Sequence, residues 1–254
     1  MQDLKVTLVQ ANQIWEDPDA NFKNYRTLLE EVDTDLIVLP EMFHTCFSMN
    51  LDLAQEFTSN EAVAWLKALA KSKDAAVYTS LMVKENGTHY NRGVFVTPEG
   101  NVSTYDKRKT FGMANEDDYF SSGGLQTIVN YKGWKIQLQI CYDLRFPEIS
   151  RNSISNHSPS YDVLIYVANW PQKRSLHWKT LLRARAIENQ CFVVGVNRVG
   201  IDGKAFEYSG DSRLIDALGQ EHLLDENKEI IRTFVMNHGK LRAIREKLPF
   251  LKDA

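Results

Sequence analysis

The sequence predicts an α/β fold with mixed sheets. Two observations carry this. Short apolar or alternating runs trade places with amphipathic helical runs early and late in the chain. Between them lie two hairpin signals, which add antiparallel pairs to an otherwise parallel pattern. The 254 residues show no short-period repeat, low-complexity tract or linker, so 1–254 reads as one domain.

The elements follow in order. Lys5 to Gln10 alternates and is β-branched, which suits a strand. Asp17-Pro18-Asp19 starts a helix, with Phe22, Tyr25, Leu28 and Leu29 at helical spacing up to Glu31. Asp35 to Leu39 is a short apolar run, as expected of a strand buried on both faces, and ends in Pro40-Glu41. An aromatic-rich loop follows. Ser59 or Asn60 then caps a helix carrying Val63, Leu66, Leu69 and Ala70. Ala75 to Val83 is a strand. Tyr90 to Thr97 and Val102 to Tyr105 form a hairpin about Pro98-Glu99-Gly100.

The charged stretch from Asp106 to Gly124 is too long for a turn, and such loops are often functional. Thr127 to Tyr131 and Trp134 to Ile140 make a second hairpin about Lys132-Gly133, the latter strand alternating as if half-buried. A helix is expected over 147–153, where Pro147 suits a first turn. Val163 to Ala168 is a strand ending in Asn169-Trp170-Pro171. Ser175 to Gln190 is a helix with Leu181, Leu182 and Ile187 on one side. Phe192 to Asn197, Arg213 to Ala217 and Ile230 to Val235 are strands, Asp202-Gly203 a turn, and 240–247 a short helix.

Composition narrows the function. The chain is 43% hydrophobic and 25% charged, so a sizeable core is available. A net charge of −3 gives no electrostatic footprint for nucleic acid or an anionic membrane. No run is long enough to span a bilayer, and the first ten residues do not read as a signal peptide. Cys46, Cys141 and Cys191 are odd in number and widely spaced, which is no disulfide framework and points to a reducing cytoplasm.

Three features end strands, where α/β proteins place their sites. They are Glu41 after LIVLP, Lys107 in YDKRK and Cys141 after LQI. Alone, each has a plain structural reading: a solvated loop acid, a solvated lysine, a packed thiol. Together they fit one scheme, in which a thiolate attacks a carbonyl or nitrile carbon, a carboxylate moves the proton and a cation stabilises the oxyanion.

In this order and context the trio resembles the nitrilase superfamily of carbon–nitrogen hydrolases. The resemblance spans nearly the whole chain: VTLVQ, LIVLPEMF, YNRGVFVTPEG, YDKRKTF, ICYDLRFPE, ANWP and RARAIENQCFVVGVNRVG. PEMF, ICYDLRFPE and ANWP look most like the ω-amidase branch, which hydrolyses the terminal amide of short 2-oxo acid amides. The resemblance implies a four-layer α-β-β-α sandwich and a homodimer. It implies Cys141 as nucleophile, Glu41 as general base and Lys107 beside the oxyanion. Tyr142 would add a backbone N–H, and Glu116 in MANE would orient the lysine and base. No metal and no cofactor is implied. The alternatives are another amidase of the superfamily, acting on deaminated glutathione or a carbamoylated amine, and a silent binding scaffold.

Two positions depart from that branch: Lys109 stands where His is usual and Cys46 where Gly is usual. Both are expected near the pocket. Arg145 either binds a substrate carboxylate or braces the turn through Asp143 or Glu148, bracing being the favoured reading. Trp170 reads equally as pocket wall or core. Phe43, Phe47 and Phe111 are candidates for an apolar wall suited to a short aliphatic chain. Arg183, Arg185 and Glu188 suit a solvated or subunit-facing helix. His44 and Cys46 lack the second pair a zinc site needs. His157 and His177 carry no partner signal, and Cys191 reads as packing.

Overall fold

The computed structural model describes residues 2–155 and 158–253, so His157 lies outside the described residues. The chain opens with β1 (Leu4–Gln10), α1 (Pro18–Leu28) and β2 (Leu36–Val38). Asp17 caps α1 by accepting the Ala20 N–H, and Pro18 supplies its first turn. A two-residue strand, β3 (Gln55–Glu56), precedes α2 (Glu61–Lys73), which Asn60 caps through the N–H groups of Ala62 and Val63. β4 (Ala76–Glu85), β5 (Thr88–Val96) and β6 (Val102–Asp106) complete the first half.

The second half adds β7 (Ile128–Tyr131), β8 (Trp134–Ile140), the short pair β9 (Ile154–Ser155) and β10 (Ser158–Pro159), β11 (Val163–Ala168) and α3 (Ser175–Glu188). Then come β12 (Phe192–Asn197), the hairpin β13 (Val199–Ile201) and β14 (Glu207–Ser209), β15 (Arg213–Ile215) and β16 (Glu221–Leu223). β17 (Ile230–Met236) returns to the first sheet beside β1, and α4 (His238–Lys247) closes the chain.

Each large sheet has three central parallel strands flanked by antiparallel ones, and in the first the short β3 adds a further parallel pair to β4. The first runs β17-β1-β2-β4-β5-β6 and the second β16-β15-β12-β11-β8-β7. Strand alternation then fixes four layers. Leu4, Val6 and Leu8 of β1 meet Ile136, Leu138 and Ile140 of β8 in a core between the sheets. The opposite face of the first sheet, including Val9, Ile37 and Val77, packs on Phe22 and Tyr25 of α1 and Leu66 of α2. The opposite face of the second, with Leu164 and Val193, packs on Trp178 and Leu182 of α3. This is the α-β-β-α sandwich expected.

Three local expectations are corrected. The segment 147–153 is not a helix beyond a single 3-10 turn at Pro147–Ile149. Asn152 holds the chain off the helical path: its N–H donates to Asn189 Oδ1, and its side-chain amide donates to the carbonyls of Tyr161 and Asn189. β8 is buried on both faces; on the side away from the inter-sheet core, Gln137 accepts from Gln126 Nε2 and donates to the Ile149 carbonyl. On α3 the inward face is Trp178, Leu182, Arg185 and Ala186, while Ile187 is exposed.

Candidate active site

The C-terminal ends of parallel strands converge on one spot, as open α/β sheets favour. β2 delivers Glu41 after Pro40 breaks the strand. β8 delivers Cys141, the first residue of a 3-10 turn over 141–145, and β11 delivers Asn169. Lys107 follows β6, and its N–H is fixed by the Asn91 carbonyl. Cys141 has φ +44°, a left-handed conformation uncommon for a residue with a side chain. It turns the chain sharply as the strand ends.

Glu41, Lys107 and Glu116 are all buried and form one ionic cluster. Lys107 Nζ lies 2.9 Å from Glu41 Oε1 and 2.9 Å from both oxygens of Glu116. Asn91 Nδ2 donates to Glu41 Oε1 at 2.8 Å and to Glu116 Oε1 at 3.1 Å. The Phe111 N–H donates to Glu116 Oε2 at 2.6 Å. The Asn169 N–H donates to Glu41 Oε2 at 2.8 Å, and Asn169 Nδ2 to the Glu41 carbonyl at 2.6 Å. Buried charges persist only when paired and bonded in this way.

The electrostatics follow. Burial alone would depress the Lys107 ammonium, but the Glu116 and Glu41 carboxylates outweigh it and hold its pKa above the ordinary lysine value. Burial, and then the Glu41 charge beside it, push the Cys141 thiol well above its usual range, so the resting thiol is protonated at neutral pH. The cluster therefore offers a neutral thiol, a carboxylate able to take its proton and a permanent cation.

Cys141 and Lys107 open into a cavity of about 420 Å³ walled by Phe47, Phe111, Tyr142 and Trp170. Of the predicted wall, Phe43 is misplaced. It is fully buried among Phe22, Tyr25 and Trp65, on the far face of the first sheet. Trp170 serves both readings, being almost fully buried yet lining the cavity. Arg145 braces neither Asp143 nor Glu148. Its guanidinium stacks 4.8 Å from the Trp170 ring centroid, meets His177 Nδ1 at 3.2 Å and lines the cavity. His177 thus has a partner that its sequence context did not signal.

Other placements differ from expectation. Arg185 is 4% exposed rather than solvated, and donates to the Leu144 carbonyl at 2.7 Å in the turn that Cys141 opens. Lys109 is set back from the cavity, pairing with Glu148 at 3.4 Å over the Phe146 ring. Cys46 is buried outside the cavity lining with φ +60°, the region that favours glycine. His44 is buried against Phe22, and burial lowers its pKa to about 4. Cys191, as expected, packs in the core against α3.

Sequence reasoning missed Asn91, Asn169 and the β13–β14 hairpin. That hairpin brings Asp202, Lys204, Phe206 and Tyr208 to the cavity. Its Asp202-Gly203 turn was visible, but its three-residue strands carry too little pattern to read.

Comparison with known proteins gives the family and the fold. The family model for Carbon-nitrogen hydrolase matches residues 5–233. Omega-amidase YafV of Escherichia coli strain K12 is 41% identical over 256 residues, covering 100% of this chain and 98% of that protein. 2-Oxoglutaramate amidase of Bacillus subtilis strain 168 is 32% identical, covering 98% and 96%. The crystal structure of XC1258 from Xanthomonas campestris, a CN-hydrolase superfamily protein with an arsenic adduct in its active site, superposes with a TM-score of 0.98. It shares 40% identity and covers 100% of this chain and 98% of that one.

Proposed function

The chain belongs to the carbon–nitrogen hydrolase family, on the ω-amidase branch of the nitrilase superfamily, and is a cysteine-dependent amidase; we propose that it releases ammonia from a short 2-oxo dicarboxylate monoamide, 2-oxoglutaramate or 2-oxosuccinamate. The observation that carries the reading is the buried Glu41–Lys107 pair at 2.9 Å beside a thiol that opens into the same cavity as Lys107.

In this proposal Glu41 takes the Cys141 proton as sulfur bonds to the amide carbon. The oxyanion that forms is held by Lys107 Nζ and the Tyr142 N–H. The protonated Glu41 then passes its proton to the amide nitrogen, the C–N bond breaks and ammonia leaves a thioester on Cys141. Glu41 next deprotonates a water that attacks the thioester. The C–S bond breaks, the acid is released and the proton returns to sulfur. Glu116 orients Lys107. No step needs a metal or organic cofactor.

Arg145 is assigned the substrate carboxylate. Its guanidinium makes no ion pair among the described residues and is presented by Trp170 to the cavity. The walls of Phe47 and Phe111 suit the methylene chain between the carboxylate and the amide. Two further assignments belong to the same reading. Three free cysteines fit the cytoplasm. A homodimer would cover exposed Leu176 and Ile187 on α3.

The test is ammonia release from 2-oxoglutaramate, 2-oxosuccinamate, an amide of equal length lacking the carboxylate, deaminated glutathione and a carbamoylated amine. The 2-oxo monoamides should have the highest kcat/KM. Arg145→Ala should raise KM for them by about tenfold or more while sparing the uncharged amide, as expected for loss of a charge-assisted bond. A preference for deaminated glutathione or the carbamoylated amine would overturn the substrate assignment.

A further inference from the structure

The geometry points to Asp143 as a positioning residue that locks the Lys107 segment to the Cys141 turn, an inference that rests on the catalytic roles proposed above. Asp143 is fully buried, two residues past Cys141. Its Oδ2 accepts the Ile140 N–H at 3.0 Å and the Tyr105 hydroxyl at 2.9 Å. Its Oδ1 accepts the Lys109 N–H at 3.0 Å.

Those donors are placed tellingly. Tyr105 stands two residues before Lys107 and Lys109 two after it, so the carboxylate grips the chain on both sides of the ammonium-bearing residue. Ile140 immediately precedes Cys141. One side chain therefore binds the first sheet's β6 and its following loop to the second sheet's β8. No covalent or sheet connection joins those two strands directly.

The grip has work to do at Cys141. A residue with a side chain at φ +44° is held there only when its surroundings over-determine it. The bond from the Ile140 N–H to Asp143 spans that residue and closes the turn around it. Arg185 fixes the following carbonyl, that of Leu144. Without Asp143 the sulfur and the ammonium would each keep their local backbone but lose their mutual register, and small misplacements of reacting groups are costly.

Asparagine is the informative replacement because it keeps the shape. Its amide can accept from Ile140 and Tyr105 only by turning its NH₂ toward the Lys109 N–H, where two donors would face each other. Asp143→Asn should lower kcat about tenfold or more with KM changed by less than about threefold. It should also slow iodoacetamide alkylation of Cys141, a readout that needs no substrate. Tyr105→Phe removes one of the three bonds and should move both quantities the same way by less. Should Asp143→Asn fail to fold, Tyr105→Phe carries the test.

If either folded variant loses thermal stability but keeps wild-type kcat and alkylation rate, Asp143 is a structural tie only and the inference is overturned. If the wild type itself releases no ammonia from the 2-oxo monoamides, the functional reading has failed instead. The alkylation rates then still decide whether Asp143 sets the state of the thiol.

Discussion

Asn169 grips Glu41 from both ends: its backbone N–H donates to the carboxylate at 2.8 Å, and its side-chain amide donates to the backbone carbonyl at 2.6 Å. The two residues come from different sheets, so this contact sets the first sheet's acid against the second sheet's strand ends. Asn169→Ala keeps the backbone bond and loses the other. It should cost about 1–2 kcal/mol of stability, seen as a fall in Tm of about 2–8 °C. With Glu41 free to shift, kcat should fall by about tenfold. Unchanged kcat in a destabilised variant would show that the clamp serves folding alone.

Lys107 holds two buried carboxylates together, and the proposed mechanism adds a chemical load to that structural one. Replacing it with Gln leaves Glu41 and Glu116 buried side by side with no cation. Breaking a buried pair in this way costs about 3–5 kcal/mol. Loss of an oxyanion donor lowers kcat about a hundredfold to a thousandfold. Lys107→Gln should therefore show both effects, and Lys107→Gln/Glu116→Gln should regain part of the stability without regaining kcat. Paired denaturation and ammonia-release measurements check this. Recovery of kcat in the double variant would remove Lys107 from the oxyanion.

Burial raises the Asp143 carboxyl to about 6, against bonds from the Ile140 N–H, the Lys107 charge, the Tyr105 hydroxyl and the Lys109 N–H that pull it down. In the unfolded chain it titrates near 4, at about 3.9. Between those values the folded state holds a proton the unfolded state lacks, so this group's contribution stabilises the fold as pH falls from about 6 toward 4. That contribution is lost as pH rises through 6. Protonation also removes acceptor capacity from the three-donor grip. Activity should thus fall below about pH 6 while the protein stays folded. Matched kcat and Tm profiles from pH 5 to 8 test it, and an acid loss of activity that coincides with unfolding would contradict it.

Much of this was legible in the sequence, for identifiable reasons. Glu41, Lys107 and Cys141 each follow a strand whose period or apolarity is clear, so the sequence itself points to their convergence. The helix cap Asp17 was equally plain, and the second was narrowed to Ser59 or Asn60, because side-chain capping is local. What failed was non-local. The expected helix at 147–153 is undone by Asn152, whose partners Tyr161 and Asn189 are distant in sequence. Arg145 looked able to pair with nearby acids, yet its neighbours are Trp170 and His177. Phe43 lies two residues past Glu41 yet packs on the far face of the first sheet, because the chain turns at Met42, which has φ +44°. Asn91 and Asn169 have no residue-type signature and are defined only by what they touch.

The central claim is that Cys141 carries the acyl group while Glu41 moves the protons. The most direct measurement is ammonia release from 2-oxoglutaramate by Cys141→Ala, with intact-mass detection of the acyl adduct in the wild type. We predict that the variant folds with an unchanged Tm within about 2–4 °C and releases no ammonia above background, while the wild type shows a transient adduct on Cys141. Sustained turnover by folded Cys141→Ala would contradict the account.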